Sequence, residues 1–94
     1  MFSLFSRQSS HDGRKRVAEG ALLLDVRSRE EFASGHVEGA LNIPVQELAS
    51  RLSEVRKGRG VVVYCRSGGR SATAAQLLRS QGHDVLDIGP MTAW

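Results

Sequence analysis

The sequence predicts an α/β domain built on a parallel sheet of four to five strands with helices on both faces. Two observations predict it. Short apolar runs rich in valine, isoleucine and leucine alternate with segments of helical spacing along the chain. Those runs are nearly continuous in apolar character, which suits strands covered on both sides rather than strands with one wet face.

Each element has its own signals. Residues 1–16 are Ser-rich and basic, with Phe2, Leu4 and Phe5 as apolar content, and read as a flexible or weakly ordered segment. They lack the apolar core of a secretory signal. A mitochondrial-type presequence and a short edge strand at 2–5 are the other readings of this stretch. Arg14-Lys15-Arg16 reads as a solvated turn or helix start. The domain proper is expected over 17–94. Ala21 to Val26 reads as the first strand. Ser28-Arg29-Glu30-Glu31 is a capping box, with Ser28 at the N-cap and Glu31 reaching back, so a short helix follows. That helix should carry Phe32 inward and stop at Gly35. Ala40 to Ile43 reads as a second strand ended by Pro44. Val45, Leu48, Leu52 and Val55 recur at helical spacing to about residue 56. Lys57 to Gly60 is a turn. Val61 to Tyr64 is the third strand and the most central by composition. Ser71 to about Gln81 is a helix, with Ala72, Ala75 and Leu78 on its buried side and Gly82 as its stop. Val85 to Ile88 is the last strand, broken by Gly89 and Pro90. Met91 and Trp94 read as cap residues over the core.

The composition excludes several classes. The chain has 94 residues, enough for one domain with one modest core. No apolar run approaches the length of a membrane span. A single cysteine rules out an internal disulfide, a CxxC redox pair and a cysteine-based zinc cluster, and fits a reducing, cytoplasmic setting. The net charge is +3 and the sequence pI about 9.8. The cations are spread along the chain, and one Trp and one Tyr give no interleaved aromatic pattern, so nucleic acid is not an expected partner. Three scattered histidines do not make metal-ligand spacing, and no cofactor or metal is expected.

The chemistry concentrates at the only cysteine. The run Val61-Val62-Val63-Tyr64-Cys65 ends at it, and Arg66-Ser67-Gly68-Gly69-Arg70-Ser71 follows before an Ala/Leu-rich helix. Amides of a Gly-rich turn can all point inward. The first N–H groups of the following helix lack intrahelical partners and point the same way. Arg66 and Arg70 add positive charge. Each effect favours a thiolate over a thiol. The bland alternative, Cys65 as a small buried hydrophobe, does not use the Gly-Gly, the arginines or the helix start. Asp25 ends its strand on the same carboxyl edge, where ligands bind in such sheets.

Four motifs in order resemble the single-domain rhodanese family. They are Leu24-Asp25-Val26-Arg27; Glu31-Phe32 with Gly35-His36-Val37-Glu38-Gly39-Ala40-Leu41-Asn42-Ile43-Pro44; Val63 to Ser71; and Ile88-Gly89 with Ala93-Trp94. The resemblance spans roughly 17–94. It implies a three-layer α/β/α fold. It implies a thiosulfate sulfurtransferase in which Cys65 takes the outer sulfur of a small anionic donor as a persulfide and passes it to cyanide or a thiol acceptor, with a protein acceptor as a further partner. The loop Arg66, Ser67, Gly68, Gly69, Arg70 and Ser71 would bind the donor, with Arg66 or Arg70 orienting it. Phosphatases and arsenate reductases of related fold use a loop one residue longer; here four residues separate Cys65 from Arg70, which favours sulfur donors. Pro90 after Gly89 departs from the Gly-Gly common in the family. The rival readings are a persulfide carrier docked to a partner, a regulatory module, and a phosphatase or arsenate reductase.

Around the loop, Asp25 and Arg27 read as braces through hydrogen bonds and an ion pair. His36 reads as a hydrogen-bonded structural histidine, and His11 and His83 as solvated. Glu30, Glu31, Glu38 and Glu54 read as surface or capping charges.

Overall fold

The computed structural model describes residues 12–94. The expectations for residues 1–11, including the edge strand, the presequence and His11, lie outside the described residues. Residues 12–18 are helical (α1). The remaining elements are β1 (Leu22–Asp25), α2 (Arg29–Ser34), β2 (Leu41–Asn42), a 3-10 segment (Val45–Glu54), β3 (Val61–Cys65), α3 (Gly69–Ser80), β4 (Val85–Pro90) and a 3-10 turn (Met91–Ala93). One four-stranded sheet has the order β2-β1-β3-β4, and every pair is parallel.

The two faces of the sheet follow the period-two alternation of its strands. Leu24, Val61, Val63 and Cys65 face one side, where Ile43, Leu48, Val55, Ala74, Ala75 and Leu78 complete a core with the 3-10 segment and α3. Leu23, Val62, Tyr64 and Ile88 face the other, beneath Val17 of α1, Val37, Met91 and Trp94. Residues 12–16, which the sequence reading left with the N-terminal segment, are therefore part of a helix that packs on the sheet. A Cβ on Gly13 would stand 3.4 Å from Ile88 and Val62. Burial of each leucine or valine here contributes about 1.5–3 kcal/mol. β3 is buried at every position, as its composition implied.

Several local expectations are corrected. The segment after Pro44 is 3-10, not α. Proline gives no side-chain cap, Arg51 breaks the helical dihedrals, and only Leu48 of the segment is fully buried. α3 starts at Gly69 rather than Ser71, because Gly68 takes a left-handed conformation (φ 107°) and caps the helix without a side-chain bond. Its buried residues are Ser71, Ala74, Ala75 and Leu78, whereas Ala72 is exposed. α2 buries no residue fully; Phe32 is half-buried and stacks on the His36 ring, centroids 3.6 Å apart. Gly89 and Pro90 do not end β4. Gly89 (φ 76°) absorbs a register shift between Val63 and Tyr64, and the strand continues to Pro90, opposite Cys65. β4 lies at the edge of the sheet, where a proline is tolerated. His83 is buried rather than solvated.

Candidate active site

β3 delivers Cys65 to the carboxyl edge of the sheet, and α3 begins four residues later. The thiol is free and buried. Its sulfur accepts the Gly68 N–H at 2.9 Å. That contact depends on the positive φ of Gly68, a conformation that costs an L-residue about 1–2 kcal/mol. The Ser71 hydroxyl donates to the Gly68 carbonyl at 3.1 Å. Burial pushes the Cys65 thiol up. The Ser71 hydroxyl and N–H, with the Gly68 and Ser67 N–H groups, pull it down further, so the net direction is below the ordinary value. Among the described residues, no basic side chain bonds the sulfur. The thiolate is stabilised by loop amides and the first turn of α3, as the sequence implied.

The two loop arginines part company. Arg66 is exposed and lines a cleft of about 300 Å³ with Arg27, Glu31, Ser34, Met91 and Thr92. Arg70 lies in the first turn of α3 and pairs with both oxygens of Glu31, Nη1–Oε1 2.6 Å and Nη2–Oε2 3.0 Å. Glu31 also completes the predicted capping box: Ser28 N–H donates to Oε1 (2.9 Å), and Glu31 N–H donates to the Ser28 hydroxyl (3.1 Å). The Arg70 guanidinium, the Ser28 amide and the Ser28 hydroxyl together hold the Glu31 carboxyl down at about 2. The sequence identified Glu31 as a cap and missed its link to Arg70. The two lie 39 residues apart, and no local pattern joins them. Ser67 and Gly69 are exposed on the loop.

Asp25 and Arg27 form the expected ion pair, and it is buried. Arg27 Nη2 lies 2.7 Å from Asp25 Oδ2, with the side chains 6 % and 0 % exposed. Asp25 Oδ1 also accepts Arg27 N–H and Nε–H, at 2.9 and 3.0 Å. The bond to Asp25 raises the Arg27 guanidinium above its ordinary value. Arg27 donates onward to the Gly35 carbonyl (2.8 Å) and stands over the Tyr64 ring at 5.7 Å. The Tyr64 hydroxyl accepts Val37 N–H at 3.1 Å, and burial pushes its own titration up to about 12. The brace thus runs to the end of α2 and to the residue before Cys65, not to the loop amides. His36 is structural as read: its Nδ1 lies 2.8 Å from the Phe32 carbonyl.

A larger, shallower concavity of about 750 Å³ lies at the amino edge of the sheet, among Gly20, Ala21, Gly60 and Asp84. It does not include Cys65. Among the described residues, no cluster of His, Cys, Asp or Glu could hold a metal, and no helix is long and apolar enough to cross a membrane.

The sequence and the fold both have known counterparts. The family described as rhodanese-like domain matches residues 9–94. The chain belongs to that family. A sulfurtransferase of Allochromatium vinosum is 44 % identical to this rhodanese-like domain over 78 residues, covering 81 % of this chain and 73 % of that protein. A solved structure of the human single-domain sulfurtransferase matches with a TM-score of 0.65 at 38 % identity, covering 86 % of this chain and 84 % of that one. An HTH-type transcriptional regulator of Mycobacterium tuberculosis is 42 % identical over 85 residues, but the rhodanese-like domain spans only 37 % of its length. Two of these three relatives are named as sulfurtransferases.

Proposed function

We propose that the protein is a sulfurtransferase that moves a sulfane sulfur from thiosulfate, or a related anionic donor, to cyanide or a thiol through a Cys65 persulfide. The observation that carries this reading is the buried Cys65 sulfur at the carboxyl edge of the sheet, bonded by the Gly68 N–H and held below its ordinary titration by loop and helix-start hydrogen bonds, with no general base beside it among the described residues. The Cys65 thiolate attacks the outer sulfur of the donor. A sulfur–sulfur bond forms, the donor's own sulfur–sulfur bond breaks, and sulfite leaves with the bonding pair. No proton moves, so no base is needed. The acceptor then attacks the terminal sulfur, cyanide leaving as thiocyanate, and the thiolate returns. The N–H groups across Arg66, Ser67, Gly68, Gly69, Arg70 and Ser71 hold the anionic donor and then the persulfide. Arg66, exposed at the cleft, meets the donor's oxyanion. Asp25 and Arg27 brace the strand ends beneath. The four-residue spacing from Cys65 to Arg70 supports sulfur donors over phosphate or arsenate. A cytoplasmic setting belongs to the same proposal, supported by the free thiol.

One observation supports a second reading, a persulfide carrier or regulatory module docked to a protein partner. The same domain forms a minor part of a transcriptional regulator. The test separates the two. Intact-protein mass spectrometry after incubation with thiosulfate should show a gain of about 32 Da on a nucleophilic cysteine, removable by cyanide and absent in Cys65→Ser. Transfer surviving in Cys65→Ser would overturn the nucleophile. Wild-type protein that is folded, reduced and unloaded would transfer the weight to the carrier reading.

A further inference from the structure

The Arg70–Glu31 pair lies next to the loop, yet the reaction as proposed assigns Glu31 no part. Its carboxylate stands where three elements meet. It caps α2 through Ser28, it receives both Arg70 nitrogens, and it lines the cleft shared with Arg66. The pair is only part-buried, with side chains 34 % and 23 % exposed, so solvent screens it but does not erase it. Arg70 is two residues beyond the Gly68 cap, on the same first turn that stabilises the sulfur.

We propose that Glu31 is a positioning residue that sets the charge of the Cys65 cradle, holding Arg70 as a neutralised clamp and leaving Arg66 as the cation that selects the anionic donor. Two consequences follow from the geometry. Arg70 sits in the first turn of α3, one residue past Gly69 and two past the Gly68 amide that bonds the sulfur, so its guanidinium belongs to the helix start that faces Cys65. Glu31 opposes that influence at close range. The other charged or titratable groups near the sulfur among the described residues are already partnered, including Arg27, which lines the same cleft. Asp25 and Arg27 neutralise each other at the end of β1. Asp87 of β4 accepts the Gly89 N–H. Tyr64 stays neutral in the working range. Arg66 and the Glu31–Arg70 pair are left to set the local balance.

The test reads the thiol directly, by the pH dependence of Cys65 alkylation with iodoacetamide, a neutral reagent. Glu31→Gln is suited to it, since glutamine still closes a capping box. Removing one negative charge should move the alkylation midpoint down by about 0.5 unit or more. It should also lower the KM for thiosulfate about threefold, as an unscreened cation meets an anionic donor. Glu31→Asp, which keeps the charge, should stay close to wild type. The doubly neutral E31Q/R70Q variant, whose side chains can still bond each other, should return the alkylation midpoint alone close to its wild-type position. A purely structural role predicts the opposite sign, because a loosened loop loses amide bonds to the sulfur and the midpoint rises. A rise or no change in E31Q overturns the inference, as does a double variant displaced as far as E31Q. The inference rests on the sulfurtransferase reading for its thiosulfate arm alone. Failure to load sulfur would sink that reading while the alkylation midpoint still decides the role of Glu31.

Discussion

Two arginine–carboxylate pairs flank the loop, and they are built differently. Asp25–Arg27 is almost wholly removed from water, two residues apart in sequence, and saturated with hydrogen bonds. Glu31–Arg70 is part-exposed and joins two helices 39 residues apart. A buried pair costs heavily when one partner is lost, because the survivor is an uncompensated charge. A part-exposed pair contributes little to stability and acts through local charge. The first pair therefore belongs to the frame of the site and the second to its chemistry.

The sharpest way to break this contrast is Asp25→Ala. It strands Arg27 and should cost about 3–5 kcal/mol in urea unfolding, a large part of the margin of a domain this size. A loss below 1 kcal/mol, within the range of exposed pairs, would place the two pairs in one class. Tyr64→Phe comes next. It removes the acceptor of Val37 N–H and should cost about 1–1.5 kcal/mol, measured the same way; no loss would detach Tyr64 from the brace. Ser28→Ala removes one half of the capping box and should cost about 1 kcal/mol while leaving the Cys65 alkylation midpoint in place. A shifted midpoint would tie the cap itself to the thiol. The smallest effect is in acid. Glu31 titrates near 4.5 when free and at about 2 when folded, so the unfolded chain binds more protons between those values. The pair's contribution is complete above pH 4.5 and is lost as pH falls toward 2. Thermal unfolding should register under about 1 kcal/mol of it, absent in Glu31→Gln.

Those pairs also mark how far the sequence could be read. The strands were legible because nearly continuous apolar runs have few other homes, and Cys65 was legible because the Gly-Gly, both arginines and the helix start all adjoin it. Asp25–Arg27 was within reach for the same reason of proximity. Glu31–Arg70 was not: its signal is a fold-level juxtaposition, and the capping box already gave Glu31 a sufficient local explanation. Boundaries failed where conformation carries no side-chain mark. Gly68 caps α3 through its backbone alone, so the helix was placed two residues late. Gly89 was read as a strand break when its positive φ makes a bulge. The segment after Pro44 has helical spacing, but spacing cannot distinguish an α-helix from a 3-10 path tied to the residue after β1 by the bond from Val45 N–H to the Val26 carbonyl.

Arg14 of α1 donates to the Trp94 carbonyl at 2.8 Å and stands 5.3 Å from its ring, although 80 residues separate them. The Arg14 side chain thus ties α1 to the last turn of the fold. Val17 of α1 and Trp94 cover the same apolar sheet face, over Leu23, Val62 and Ile88, so the Arg14 latch holds two covers of one core together. Releasing either cover would wet the face opposite the one that Cys65 occupies.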